Sequence, residues 1–237
     1  MKKIGLLGGM SYVSTSHYYE QINQRVNERV GGDTTANLVV RSVNFEKYRQ
    51  LMKRGEWEKI GDCLGYEASG LSSYMECEYI AVATNTMHKV ADAIAQHCPK
   101  STFVHIGDCI AEACERTDAM RILLLGTKFT MEEDFMKDFL ANKYGIETID
   151  TSPYPNEVEE INRIIFDELC NGAVTESSKR FLAEFVRLFF VSNANPKPDA
   201  VVLGCTELNM LLNGDSYYPI IDSTEEHVRK LVELSLS

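Results

Sequence analysis

Four strand-like runs in this chain end in the same few ways, and their spacing repeats. "KIGLLGG" (residues 3–9) stops on glycine, and 76 positions after Gly8 the run "YIAVAT" stops at Thr84. "MRILLLGT" (120–127) stops on glycine again, and 79 positions after Gly126 the run "DAVVLG" stops at Cys205. A repeat of this size implies two similar folding units in one chain, each roughly 100 to 120 residues long.

Helical patterns fill the gaps between the β-rich runs. The fold expected is α/β: two pseudo-symmetric α/β domains, each a mostly parallel sheet flanked by helices. "STSHYYEQINQRVNERV" (14–30) reads as a helix starting near Ser14 or Thr15, with Tyr18, Ile22, Val26 and Val30 on one face. "ANLVVRSVNF" (36–45) reads as a second strand, and "EWEKIGDCLGYEASGLSSYM" (56–75) and "HKVADAIAQH" (88–97) as helices. In the second half "KFTMEEDFMKDFLANKYG" (128–145), "NEVEEINRIIFDELCNG" (156–172) and "SSKRFLAEFVRLFFVSNAN" (177–195) read as helices, with "IETIDTS" (146–152) a strand. "NANPKPD" (193–199) marks a surface turn, and "YYPIID" (217–222) a late strand returning to the first domain. The domains expected are residues 1–98 plus 210–237, carrying Thr84, and residues 99–209, carrying Cys205.

A net charge of −11 argues against a nucleic-acid partner, because phosphate binding needs a basic face. The opening "MKKIGLLGGM" imitates a signal peptide, but Gly8-Gly9 breaks its short apolar run. No stretch approaches the roughly 20 apolar residues of a membrane span. A cytoplasmic location and no membrane partner are expected. Seven cysteines, an odd number without an export signal, favour reduced thiols. None shows zinc-ligand spacing, and no metal is expected. Cys63, Cys77, Cys98, Cys109, Cys114 and Cys170 read as small apolar fillers.

Ligands of open parallel sheets bind outside the carboxyl ends of the strands. The turns Gly8-Gly9-Met10-Ser11, Thr84-Asn85-Thr86, Gly126-Thr127 and Cys205-Thr206-Glu207 all lie there. Backbone N–H groups at helix starts, with hydroxyls beside them, suit a carboxylate or phosphate. The simpler alternative is that Thr84, Thr86, Thr127 and Thr206 are helix caps. "GLLGGM" lacks the third glycine of the dinucleotide fingerprint, and no Gly-Lys-Ser/Thr phosphate loop occurs. A thiol at a helix start has a lowered pKa, so Cys205 is expected to supply thiolate near neutral pH. Thr84 is a weak acid and needs a neighbour or a water to relay its proton. His88, four residues on, is the candidate neighbour.

"GLLGGMS", "TNTMH", "LLGT" and "LGCTE" at these separations resemble the aspartate/glutamate racemase family, over essentially the whole chain. The resemblance implies a racemase without cofactor, including pyridoxal phosphate, whose active site lies in the cleft between two α/β domains. Two residues, usually both cysteines, would flank the substrate α-carbon; by motif these are Thr84 and Cys205. Threonine departs from the two-cysteine pattern and resembles a broad-specificity or acidic-amino-acid branch, as do "TNTMHKVADAI", "IIFDELCNG" and "KRGEW". The resemblance places Met10, Ser11, Met52, Asn85, Thr86, Thr127 and Thr206 around the substrate.

Aspartate and glutamate come first as substrates, with Arg41, Lys47, Arg49 and Lys53 as candidate cations for a distal carboxylate. Neutral side chains follow from Met52. A homodimer is also implied, with the glycine- and serine-containing helix near 61–73 packing against its twin. The rival readings are a decarboxylase, isomerase or hydantoin racemase of the same fold, and a non-catalytic binder of amino acids or carboxylates.

Overall fold

The structure, a computed structural model, describes residues 1–191, 197–212 and 218–237. The chain forms two compact units, Met1–His105 with His227–Ser237, and Ile106–Glu226. It therefore leaves the first unit after His105 and re-enters it at His227.

The first unit runs β1 (Ile4–Gly8), α1 (Tyr12–Val30), β2 (Leu38–Ser42), α2 (Phe45–Lys53), α3 (Trp57–Ser73), β3 (Tyr79–Val82), a 3-10 turn (Thr86–Val90), α4 (Ala91–Gln96) and β4 (Thr102–Phe103). Its sheet has the order β2-β1-β3-β4, with every pair parallel. β1 and β3 are buried at every position, as strands covered by helices on both faces must be.

The second unit runs α5 (Ile106–Arg116), β5 (Arg121–Gly126), α6 (Lys128–Glu132), α7 (Asp134–Tyr144), β6 (Glu147–Thr148), α8 (Pro155–Arg163), a π-helical turn (Ile164–Glu168), a 3-10 turn (Leu169–Asn171), α9 (Glu176–Val191), β7 (Ala200–Gly204), a 3-10 turn (Leu208–Met210) and β8 (Ile220–Asp222). The last helix, α10 (Ser223–Leu236), starts in this unit and ends in the first. The order β6-β5-β7-β8, again all parallel, repeats that of the first sheet. Alternation along β5 and β7 feeds two cores. Leu123, Leu125, Val201 and Leu203 join Ile161, Phe185 and Val186, while Ile122, Leu124 and Val202 join Ile110, Met136 and Leu140. Each such buried side chain contributes about 1.5–3 kcal/mol.

Several expectations need correcting. "YYPIID" does not return to the first domain: Ile220, Ile221 and Asp222 pair with Val201, Val202 and Leu203 of β7. Residues 210–212 and 218–226 thus lie in the second unit, and residues 99–105 in the first. The helix expected over 128–145 breaks at Glu133, whose backbone is extended (φ −83°, ψ 156°). The helix over 156–172 widens into the π turn at Ile164. Ser11, rather than Ser14 or Thr15, caps α1. Two of the three glycines of α3 pack against their own chain, while Gly70 faces open space. A Cβ on Gly61 would meet Ala93 Cβ at 2.9 Å, and Gly65 backs onto the His97 ring. Residues 193–196 of the expected surface turn, the end of the helix read to 195, and Tyr217 lie outside the described residues.

Among the described residues, no helix is long and apolar enough to cross a membrane.

Candidate active site

In each unit the two central strands are neighbours, and the chain leaves them toward opposite sides of the sheet. That is the switch point at which parallel α/β sheets bind ligands. In the first unit the adjacent ends belong to β1 and β3, with Leu7 level with Val82. Gly9, next after β1, has φ +91°, and a Cβ there would sit 2.6 Å from Val43 N and 2.8 Å from Ser42 Oγ. Only glycine fits. Ser11 Oγ then accepts from Ser14 N at 3.2 Å, capping α1. Thr15 closes the loop behind it, with its Oγ1 donating to Ser11 O (2.8 Å) and accepting from Gly9 N (2.7 Å). Ser14 Oγ donates to Ala83 O at 2.9 Å, so the first turn of α1 is fastened to the residue just before Thr84.

These bonds bring Met10, Ser11, Thr84, Asn85 and Thr86 to one end of one sheet. Met10, Ser11, Asn85 and Thr86 are buried, and Thr84 is partly exposed. Asn85 stands at the start of the turn that follows but does not cap it through its side chain. His88 Nδ1 lies 2.9 Å from Thr84 O. Met52 lies on the buried face of α2 with Tyr48 and Leu51.

The second unit repeats the plan with other residues. Gly126 and Gly204 are level on β5 and β7, and a Cβ on Gly126 would lie 2.7 Å from Gly204 O. Thr127 caps α6 through Thr130 N, which is the simpler role allowed for it. Thr206 is not a cap, because its hydroxyl donates to the Glu207 carboxylate. Cys205 Sγ is 3.2 Å from Glu207 Oε2, and Cys170 Sγ is 3.7 Å from Glu207 Oε1. One buried carboxylate thus receives two thiols and a hydroxyl.

This environment overturns the expected thiolate. Burial first, then the charge of Glu207, push the Cys205 thiol well above the usual thiol range. Only a three-residue 3-10 turn follows it, Leu208–Met210, which has no substantial helix dipole to oppose those effects. Cys205 is a thiol at rest. Sequence reasoning passed over Glu207 as a chemical group and treated Cys170 as filler; the signal available was a carboxylate two residues after a strand-end cysteine.

A groove of about 620 Å³ in the second unit is lined by Glu112, Glu115, Met120, Lys143 and Tyr144, among others. Met120 and Ile146 precede β5 and β6, so it opens at the amino ends of the strands, away from Gly126 and Cys205. Among the described residues no group of three His, Cys, Asp or Glu is placed to hold a metal ion.

The model of the Asp/Glu/Hydantoin racemase family matches residues 7–231. The chain belongs to this family. Membership makes it an isomerase, and the repeated 2-1-3-4 sheets are the two-domain α/β racemase fold. A Yersinia pestis protein assigned by name to the Asp/Glu racemases is 37% identical, with 100% of both chains covered and a TM-score of 0.87. An aspartate racemase homologue from Pyrococcus horikoshii is 33% identical, again over 100% of both chains, with a TM-score of 0.83. A glutamate racemase from Francisella tularensis, solved with D-glutamate, shares the fold at 13% identity over 99% of this chain and 81% of its own, with a TM-score of 0.59.

Proposed function

We propose that this Asp/Glu/Hydantoin racemase family member is a cofactor-independent amino-acid racemase in which Cys205 and Thr84 exchange protons with opposite faces of the substrate α-carbon. The observation that carries the reading is the bond from the Cys205 thiol to Glu207. It gives a thiol held protonated at rest a base to receive its proton. Glu207 takes the thiol proton, the thiolate takes the α-proton, and the carbanion is reprotonated on its other face by the Thr84 hydroxyl; Thr84 regains a proton from water and Glu207 gives its own back to water. In the reverse sense Thr84 gives a proton to water and takes the α-proton, Cys205 donates to the carbanion, and Glu207 passes it a proton taken from water. An alcohol is a far weaker acid than a thiol, so one enantiomer loses its α-proton much faster than the other.

Ser11 and Thr127, with the N–H groups beside Met10, Asn85, Thr86 and Thr206, hold the α-carboxylate and offset the charge that develops when the α-proton leaves. Aspartate and glutamate are the first substrates, on the strength of relatives named for them, and Met52 leaves room for neutral side chains. A homodimer in the cytoplasm belongs to the same proposal; sedimentation of the purified chain tests the dimer.

A panel of L-amino acids followed by chiral chromatography, with Cys205→Ser alongside, tests the function. D-product from the wild type and a loss of about 10²-fold or more in the variant are expected. Unchanged turnover in the variant removes Cys205 from the mechanism.

A further inference from the structure

Thr84 is followed by a 3-10 turn, and this leaves its carbonyl in an unusual position. In an α-helix the backbone N–H of residue 88 would bond the carbonyl of residue 84. Here His88 N bonds Asn85 O instead, at 3.0 Å, and the His88 side chain reaches Thr84 O through Nδ1 at 2.9 Å. A carbonyl oxygen only accepts, so Nδ1 carries the hydrogen.

The imidazole is not free to swing away. It is 4% exposed and packs edge-on against His105 (4.7 Å between centroids, 78°) and His227 (6.0 Å, 68°), with Phe103 at 5.8 Å. His227 is itself fixed. Its Nε2 donates to Val104 O at 3.0 Å, and its Nδ1 accepts from the Tyr18 hydroxyl at 2.9 Å. The bonds made by His227 therefore set its tautomer, and its ring forms one wall against which the His88 ring is held.

We infer that His88 is a positioning residue for Thr84: through its Nδ1–H it holds the Thr84 carbonyl, and so sets where the Thr84 hydroxyl points and how strongly the Thr84–Asn85 peptide is polarised. This rests on the proposed racemase reading. Thr84 is the weaker member of the pair, and a displacement of about 1 Å in a reacting group costs about 10²-fold in rate. A bond to a carbonyl also strengthens the donor at the other end of the same peptide, the Asn85 N–H.

The test separates exchange from inversion. Substrate presented to the Cys205 side in deuterated water either returns deuterated with its configuration kept or is inverted, and only inversion needs Thr84. In His88→Leu, inversion relative to exchange is expected to fall about 10-fold to 100-fold. His88→Asn keeps a donor near the Nδ1 position and is expected to restore most of it. Equal loss of exchange and inversion, or an Asn variant as poor as the Leu variant, overturns the inference while the racemase reading stands. A wild type that exchanges no amino acid sinks that reading and the catalytic part of this one. Nitrogen-15 imidazole spectra read the geometry without any turnover: hydrogen on His88 Nδ1 and on His227 Nε2 is expected, and hydrogen on His88 Nε2 alone overturns the assignment.

Discussion

Cys205 and Glu207 lie two residues apart on one strand-end turn, with the thiol donating to the carboxylate at 3.2 Å. Two consecutive side chains of an extended strand would point to opposite faces, and a pair two apart to the same face. The turn after Gly204 keeps that same-face relation while bending the chain, and so stacks an acid on its own base.

Replacing Glu207 by Gln keeps the volume and removes the charge. Glu207 is the second cause, after burial, of the elevated Cys205 thiol, so the thiol should ionise at lower pH in the variant. Thiolate absorbance, taken as the difference from a Cys205→Ser control, reads this directly. Racemisation should nevertheless fall by about 10²-fold, because the proton acceptor is gone. An unmoved thiol titration argues against the contact.

His227 gives the protein an acid-sensitive core. Burial first, then the charge of His88, push it down to about 3 from 6.5, against the pull of the Val104 carbonyl. The unfolded chain therefore takes up a proton that the folded chain refuses. The stabilisation is fully present above pH 6.5 and is lost as pH falls from 6.5 toward 3, by about 1.4 kcal/mol per pH unit at its steepest. Urea unfolding across that range should show the slope in the wild type, and His227→Asn should flatten it by that amount.

The helices the sequence hid are instructive. α5 buries Ile106, Cys109, Ile110, Ala113 and Cys114, an ordinary helical spacing that is missed when Cys109 and Cys114 are weighed only as a pair of metal ligands. α2 carries Tyr48, Leu51 and Met52 behind an Asn44 cap, but it follows β2 so closely that its cap and first residue, Asn44 and Phe45, read as more strand. The strand ends were legible because burial on both faces makes an unbroken apolar run. The Cys205 environment was not. A thiol's titration depends on which carboxylate faces it and how dry the place is; Glu207 stands two residues on, but the burial that makes its charge count is not written in the local residues.

Gly126→Ala tests how closely the second unit's switch point is packed. The new Cβ would lie 2.7 Å from a backbone oxygen, Gly204 O, and 2.9 Å from Thr130 Cβ. Backbone in a central strand cannot step aside, so a loss of about 1–3 kcal/mol is expected in denaturant unfolding. A neutral change would mean that β5 and β7 are less closely paired there.

Arg41 was a candidate cation for a substrate's distal carboxylate, but its guanidinium forks onto Glu67, with the Nη2–Oε1 contact at 3.0 Å. Half-exposed pairs of this kind contribute under about 1 kcal/mol. Arg41→Met should therefore cost little stability and leave the aspartate-to-alanine preference within about 3-fold. A selective collapse on aspartate would return Arg41 to the substrate.

The two crossings of the chain set an order of assembly. Ser235 accepts from Lys2 N at 2.8 Å and His227 takes the Tyr18 hydroxyl, so the first unit is finished by residues translated after the whole of the second. The second unit is a single stretch, complete in sequence before those residues leave the ribosome. The half that emerges first must wait, its α1 face unsealed, until the half made after it has already had its chance to fold.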